Sequence, residues 1–143
     1  LKDVSKRLGL ENDICFFGWQ KNPFKFVSNA KVFVLSSLWE GLPCSLLEAM
    51  VCAVPVVSLD CSSGPREILA PDTDFAEKTQ SVEYAKFGVL VKPKDEKMLA
   101  KAIVKVLSDE NLQNSLKNKS LERIADFDAK NIIKEWNFLA SQS

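Results

Sequence analysis

Short apolar runs alternate with amphipathic stretches along most of the chain. These runs are four or five residues long and span 14–17, 32–35, 55–59 and 88–91. Each one starts with Pro or Gly or follows a charged residue, and each ends before Gly or a polar residue. Uniformly apolar runs of this length are typical of strands that are covered on both faces, as in parallel sheets. The pattern therefore predicts four buried strands.

Helical spacing of apolar residues predicts the elements between the strands. Leu1, Val4 and Leu8 lie at i, i+3 and i+7, which indicates a first helix that Gly9 ends before a turn at 12–13. Further helices are predicted at 23–28, 43–53, 64–69, 95–107, 109–125 and 126–143, with Asn22, Asp95 and Asp128 as N-caps. Residues 70–87 are polar and weakly patterned, and they are predicted to form a long loop.

Strands that alternate with helices predict an α/β fold. We expect a Rossmann-like open parallel sheet with helices on both faces, in one partial domain over residues 1–143. Ligands of such sheets bind at the carboxyl ends of the strands, near helix N-termini. Function is therefore expected in the loops at 18–22, 36–43 and 60–65, with 70–87 as a further candidate.

Composition excludes several classes of function. The 143 residues carry 19 basic and 19 acidic side chains, and this balance predicts no nucleic-acid partner. There is no His, and the four Cys form no C-x-x-C pair, which argues against a zinc site, a disulfide scaffold and Ser-His or Cys-His catalysis. The chain starts without Met inside a predicted helix, so we expect it to be a piece of a longer protein.

Two carboxylates flank the start of one predicted helix. Glu40 lies in the loop before this helix, and Glu48 lies more than one turn inside it. Between them the first turn offers free backbone N–H groups and the positive end of the helix dipole, which suit a diphosphate. Gly41 would let a ligand approach the backbone, and a carboxylate at Glu48 could accept hydrogen bonds from a ribose diol.

The same segment carries a family resemblance. Its pattern S-x-x-E-G-L-P-x-x-L-L-E-A-M, from Ser37 to Met50, resembles the signature of family 4 glycosyltransferases (glycosyltransferase group 1) of the GT-B fold. Further segments resemble that family in the right order, at 16–19, 29–37, 55–57, 64–68 and 88–95. The resemblance covers about residues 1–110 and identifies the chain as the C-terminal, donor-binding half of such an enzyme.

The resemblance implies transfer of a sugar from a nucleotide diphosphate with retention, without a metal or another cofactor. It implies the following roles by position: Glu40 as the catalytic residue near the donor sugar, Gly41, Leu42 and Pro43 around that sugar, Ser45, Leu46 and Leu47 facing the diphosphate, Glu48 on the ribose, and Gly18 and Trp19 near the base. Uridine is the expected base, and a hexose or N-acetylhexosamine is the expected sugar.

The resemblance implies that the family's basic diphosphate ligands and its acceptor-binding domain would lie upstream of this chain. We therefore expect the chain alone to bind donor without transferring sugar. The segment Gly64-Pro65-Arg66-Glu67-Ile68-Leu69 and the longer stretch at 70–87 resemble bacterial transferases that build capsules, O-antigens or lipid-linked glycans. The implied acceptor is a glycan or a lipid-linked glycan, bound through the absent N-terminal domain, which would also make any membrane contact. The implied location is cytoplasmic, with the inner face of the cytoplasmic membrane as an alternative for the full-length enzyme.

Other functions stay open at this point. Glu40 and Glu48 could be the acid and base of an inverting glycosidase, although a helix N-terminus favours an anion that a neutral glycoside lacks. A nucleotide-sugar epimerase shares the GT-B fold. A phosphoacceptor receiver domain shares the doubly wound sheet but needs clustered acids at strand ends, and only Asp60 follows the strand at 55–59.

Structural roles also stay open for single residues. The two carboxylates could be an ordinary loop acid and a solvated helix acid. Cys44 could be a small residue that fits its position, and Trp39 could support its loop. Trp19 could pack half-buried or stack on a base, and Arg66 could solvate a helix start rather than reach a phosphate. Trp136 could belong to a docking surface or to the core.

Overall fold

The computed structural model describes residues 1–142, and Ser143 lies outside the described residues. In chain order, the elements are α1 (Lys2–Arg7), α2 (Phe24–Val27), β1 (Phe33–Leu35), α3 (Cys44–Val51), β2 (Val56–Leu59), α4 (Pro65–Leu69), β3 (Val82–Tyr84), β4 (Val89–Val91), α5 (Glu96–Ser108), α6 (Glu110–Ile124), a 3₁₀ turn (Ala125–Phe127) and α7 (Ala129–Ala140).

The four strands form one mixed sheet in the order β1-β2-β4-β3. β1 pairs with β2, and β2 pairs with β4, in parallel, while β3 pairs with β4 in antiparallel orientation. Every residue of β2 and β4 is buried, which is why both strands are apolar at almost every position. The parallel core predicted from the sequence is thus confirmed, and β3 adds an antiparallel edge.

Helices cover both faces of this sheet and create two apolar layers. On one face, Leu46 and Met50 of α3 pack with Leu69 of α4 against the strands. On the other face, Val106 of α5 and Leu116 of α6 pack against the strands. The predicted α/β class with helices on both faces is therefore confirmed.

The prediction of a strand at 14–17 is wrong. Residues 14–18 have no strand conformation, and among the described residues no backbone hydrogen bond joins them to a neighbouring strand. Phe17 instead contacts the Phe26 ring, with 4.2 Å between the ring centroids. An apolar run predicts that its side chains pack against other apolar groups. A strand requires in addition backbone hydrogen bonds to a neighbouring strand.

The prediction of a continuous loop at 70–87 is wrong in part, because this stretch contains β3. β3 has only three residues, Val82, Glu83 and Tyr84, and one polar residue between two apolar ones is too short an alternation to identify a strand from the sequence.

The predicted N-caps are confirmed for two of three helices. Asn22 is not an N-cap: α2 starts one residue later than expected, with Pro23 in the cap position and no side-chain cap bond. Asp95 and Asp128 do cap their helices, through the N–H groups of Met98 and Lys130.

The last helix, α7, buries no residue. Its Trp136 is 68% exposed, so the expectation that Trp136 belongs to a core is wrong. The helix predicted over 126–143 begins as a 3₁₀ turn and is α-helical from Ala129 to Ala140. Across residues 1–142, no helix has both the length and the apolar content that crossing a bilayer requires.

Candidate functional site

The candidate site lies at the edge of the sheet where β1, β2 and β4 end. These strands are parallel, so the loops that follow β1 and β2 leave the sheet on the same side. The two loops are in direct contact there, because the Ser63 hydroxyl donates a hydrogen bond to the backbone carbonyl of Glu40. The predicted loops at 36–43 and 60–65 therefore belong to one site.

Helix α3 starts at this edge, and within residues 1–142 its first two N–H groups donate no hydrogen bond. Pro43 occupies the N-cap position, where it brings no side-chain cap, and the first turn contains no acidic residue. The Leu46 N–H was expected to face the diphosphate, but it donates to the Pro43 carbonyl at 3.0 Å and is not free, so that part of the expectation is wrong. The N–H groups of Cys44 and Ser45 precede this first bond of the helix. In the part of the chain that the structure describes, this end of the helix dipole thus has no side-chain cap and no acidic side chain in its first turn, which leaves a place for an anion.

Glu48 lies in the second turn of α3, and its side chain is exposed. It shares a face of the helix with Cys44, Leu47 and Val51, and this face lines a cleft of about 480 Å³. The rest of the lining comes from α2, the end of α6, the 3₁₀ turn and the N-cap of α7, namely Phe24, Ile124, Ala125, Phe127 and Asp128. The cleft is thus a mostly apolar space with carboxylates at Glu48 and Asp128.

Glu40 is partly exposed in the loop before α3. The neighbouring Gly41 faces open space, since a Cβ built there would have no heavy atom within 4 Å. Leu42 is half exposed, and Pro43 is buried. The structure therefore brings Glu40, Gly41, Leu42, Pro43 and the start of α3 together in one accessible loop.

Trp39, in the loop before α3, and Trp19, in the segment at 18–22, are both exposed. Trp39 is 77% exposed, so the expectation that it supports its loop by packing is wrong. Trp19 is 86% exposed, which also excludes the half-buried packing role considered for it. Within residues 1–142, no hydrogen bond or ring contact joins Gly18 or Trp19 to the loop at 36–43. Their place near a base stays a prediction.

Arg66 has neither of the roles considered for it. Its side chain is 3% exposed, and its Nη2 lies 2.6 Å from Asp60 Oδ2 and 2.6 Å from Glu83 Oε2. Burial opposes the charge of Arg66, but the hydrogen bonds to Asp60 and Glu83 outweigh it, so the pKa of Arg66 lies above its ordinary value. Arg66 is therefore committed to a buried ion-pair network and is not available to a phosphate.

Sequence reasoning missed this network because Glu83 lies 17 positions from Arg66. The one clue was the placement of Asp60 and Arg66 on either side of a short loop. Asp60 also accepts a hydrogen bond from the Thr79 N–H at 2.7 Å. The acid that follows β2 is thus fully engaged, which removes the residue that a phosphoacceptor domain would need.

Metal and thiol chemistry have little support in the part of the chain that the structure describes. These residues contain no group of three or more Cys, Asp or Glu side chains that could hold a metal ion. The four cysteines are free thiols. Burial raises the pKa of the Cys61 thiol, which makes this thiol a poor nucleophile.

Comparisons with known proteins agree on one family. The sequence profile of the family described as "Glycosyl transferases group 1" matches residues 1–123. An uncharacterised glycosyltransferase of Methanocaldococcus jannaschii is 42% identical over an alignment of 155 positions, gaps included, which covers 97% of this chain and 38% of that protein. An N-acetylgalactosaminyltransferase of Campylobacter jejuni, whose name specifies an undecaprenol-linked acceptor, is 29% identical over 91% of this chain and 32% of its own length.

A solved structure extends this likeness to the fold. The crystal structure of Anabaena HepE in complex with UDP matches with a TM-score of 0.82 at 22% identity, over 99% of this chain and 35% of that one. The chain thus spans between about a third and two fifths of the proteins that it matches.

Proposed function

Because the chain belongs to the group 1 glycosyltransferases, we propose that it binds the nucleotide-diphosphate sugar donor of a retaining sugar transfer. The observation that carries this proposal is the uncapped start of α3, with accessible carboxylates at Glu40 and Glu48 on either side of it. An anion-binding helix end next to a diol-binding acid matches the phosphates and the ribose of such a donor.

In this proposal each part of the donor meets a different part of the site. The diphosphate accepts hydrogen bonds from the free N–H groups of the first turn of α3, at Cys44 and Ser45. Glu48 accepts hydrogen bonds from the ribose hydroxyls, and Glu40 lies beside the sugar that is transferred. Donors fixed by the fold stabilise the negative charge that builds up on the leaving diphosphate, and this is the main catalytic contribution.

We propose UDP as the nucleotide part of the donor. Support comes from the HepE structure, which contains UDP and has the same fold. For the acceptor we propose a glycan or a lipid-linked glycan, supported by the acceptor in the name of the Campylobacter jejuni relative. The chain matches only 32% of that relative, so the acceptor, and the transfer itself, are proposed for a full-length protein in which a second domain faces this one.

We also propose that the transfer needs no divalent metal or other cofactor, and that the enzyme acts in the cytoplasm, at the inner face of the membrane if its acceptor is lipid-linked. The helix dipole and backbone N–H groups would take over the charge stabilisation that a metal gives elsewhere.

Calorimetric titration with UDP tests the proposal through Glu48→Ala. A hydrogen bond to a charged group contributes about 1.5–3 kcal/mol, so we expect the UDP affinity of the full-length protein to fall about 10- to 150-fold. Glu122→Ala is the matched control, because Glu122 is an exposed helical acid outside the site and should leave affinity unchanged. Equal affinities of wild type and Glu48→Ala would remove Glu48 from the site.

A further inference from the structure

The loop after β2, residues 61–64, is closed at its base by a buried ion pair. Asp60 precedes the loop and Arg66 follows it, and their side chains are 0% and 3% exposed. Arg66 binds the Asp60 carboxylate through Nη2 at 2.6 Å and through Nε at 3.3 Å. Water cannot compete for a pair buried to this degree, so the two ends of the loop are held at a fixed separation.

Two neighbouring residues of this loop hold the backbone of Glu40 and Gly41. The Ser63 hydroxyl donates to the Glu40 carbonyl. Gly64 packs so closely on Gly41 that a Cβ at position 64 would lie 1.9 Å from the Gly41 carbonyl oxygen. One hydrogen bond and one close packing contact thus fix the Glu40–Gly41 peptide, while the Cβ position of Gly41 faces open space.

The stretch at 70–87 completes the surroundings of the ion pair. Glu83 of β3 accepts hydrogen bonds from both terminal nitrogens of Arg66, at 2.6 and 3.3 Å. Thr73 accepts a further one at 3.1 Å, and the Thr79 N–H donates to Asp60 at 2.7 Å. Every side-chain nitrogen of Arg66 therefore has a hydrogen-bond partner. Two of the three partner residues, Thr73 and Glu83, belong to the stretch at 70–87.

Helix α4 is fixed at its other end as well. Arg123 of α6 donates to the carbonyls of Ile68 at 2.9 Å and Glu67 at 2.8 Å. At the start of the helix, the Gly64 N–H donates to the Glu67 carboxylate at 3.0 Å. The loop at 61–64 thus lies between two anchored elements, β2 and α4, and has little freedom to move.

We propose that Ser63 is a positioning residue for Glu40, and that the ion pair of Asp60 and Arg66, completed by the stretch at 70–87, keeps Ser63 in place. The inference rests on the proposed role of Glu40 beside the donor sugar. A group beside a reacting sugar must be held to within a fraction of an ångström, and loop residues reach this precision only when other residues support them.

The test measures the affinity of the 143-residue chain for UDP and for two UDP-sugars, UDP-glucose and UDP-N-acetylglucosamine. The ratio of the affinity for a UDP-sugar to the affinity for UDP reports the contribution of the sugar to binding, because both ligands make the same nucleotide contacts. In Ser63→Ala we expect this ratio to fall about two- to tenfold, the effect of one lost hydrogen bond, while UDP affinity stays at the wild-type value. Ser63→Thr keeps a hydroxyl and should restore the ratio.

Ser62→Ala is the matched control, because Ser62 is an exposed serine of the same loop. A second pair of variants tests the stretch at 70–87. Glu83→Gln removes a charge that holds Arg66 and should lower the ratio, whereas Glu77→Gln removes an exposed charge of the same stretch and should not. A general loss of structure would instead lower the affinity for UDP and the UDP-sugars alike.

The outcomes separate this inference from the proposed function. If wild type binds UDP and Ser63→Ala keeps the wild-type ratio, the inference is overturned and the donor site stands. If wild type binds neither UDP nor the UDP-sugars, the proposed function falls, and the inference falls with it. Backbone ¹⁵N relaxation of Glu40 and Gly41 without ligand gives a further check: unchanged order in Ser63→Ala would also overturn the inference.

Discussion

Replacing Gly64 with alanine should destabilise the site from within its own backbone. Gly64 has φ +88 and ψ −67, a conformation that residues with a side chain rarely adopt. The added Cβ would lie 1.9 Å from the Gly41 carbonyl oxygen and 2.6 Å from Pro43 Cδ. Neither atom belongs to a flexible side chain, so either the loop at 41–43 or the start of α4 must move.

The magnitude follows from these two effects. A residue held in a sparsely populated backbone region costs about 1–3 kcal/mol. Overpacking a close contact costs about 1–3 kcal/mol more. Gly64→Ala should therefore lower the free energy of unfolding by about 2–6 kcal/mol, a large share of the 5–15 kcal/mol that is typical of a domain.

Urea unfolding, followed by circular dichroism, measures this loss. Gly9→Ala is the matched control, because Gly9 also has a positive φ, +68, but an added Cβ there meets no atom within 4 Å. The control should lose only the backbone term, about 1–2 kcal/mol. Equal losses in the two variants would refute the close contact between Gly64 and Gly41.

Two further predictions concern the chemistry in the full-length protein. Glu40→Gln should lower turnover on the order of 100-fold and donor affinity far less, because Glu40 is proposed to lie beside the reacting sugar rather than the nucleotide. Steady-state kinetics with UDP-sugar check this, and wild-type turnover would exclude Glu40 from the site. Activity should survive EDTA, since residues 1–142 contain no cluster of metal ligands; activity that EDTA abolishes and magnesium or manganese restores would contradict the prediction.

The buried core could be predicted from the sequence because burial leaves a direct trace in it. β2 and β4 are covered on both faces, and each reads as an uninterrupted apolar run except for Ser58. The segment at 14–17 has the same appearance but no strand partner, and single-chain patterns do not encode pairing. β3 is the opposite case, a strand that the sequence did not predict, because its three residues carry too short a pattern to recognise.

The candidate site was predictable where it depends on local sequence. Pro43 starts a helix, and the spacing from Glu40 to Glu48 puts one acid on each side of that start. What supports the site was not predictable, because it depends on contacts between distant segments. The bond from Ser63 to Glu40 spans 23 positions, and the role of Arg66 became clear only with Glu83 beside it.

In the proposed site the start of α3 binds the diphosphate of the donor, and UDP titration of the isotope-labelled chain, followed by NMR, examines this binding without intermediate steps. We predict weak binding, with a dissociation constant of about 1 mM, because backbone N–H groups alone lack the charge-assisted bonds that basic side chains supply. The amide shift changes should centre on residues 40–48. A map centred elsewhere, or no shift change at millimolar UDP, would contradict the claim.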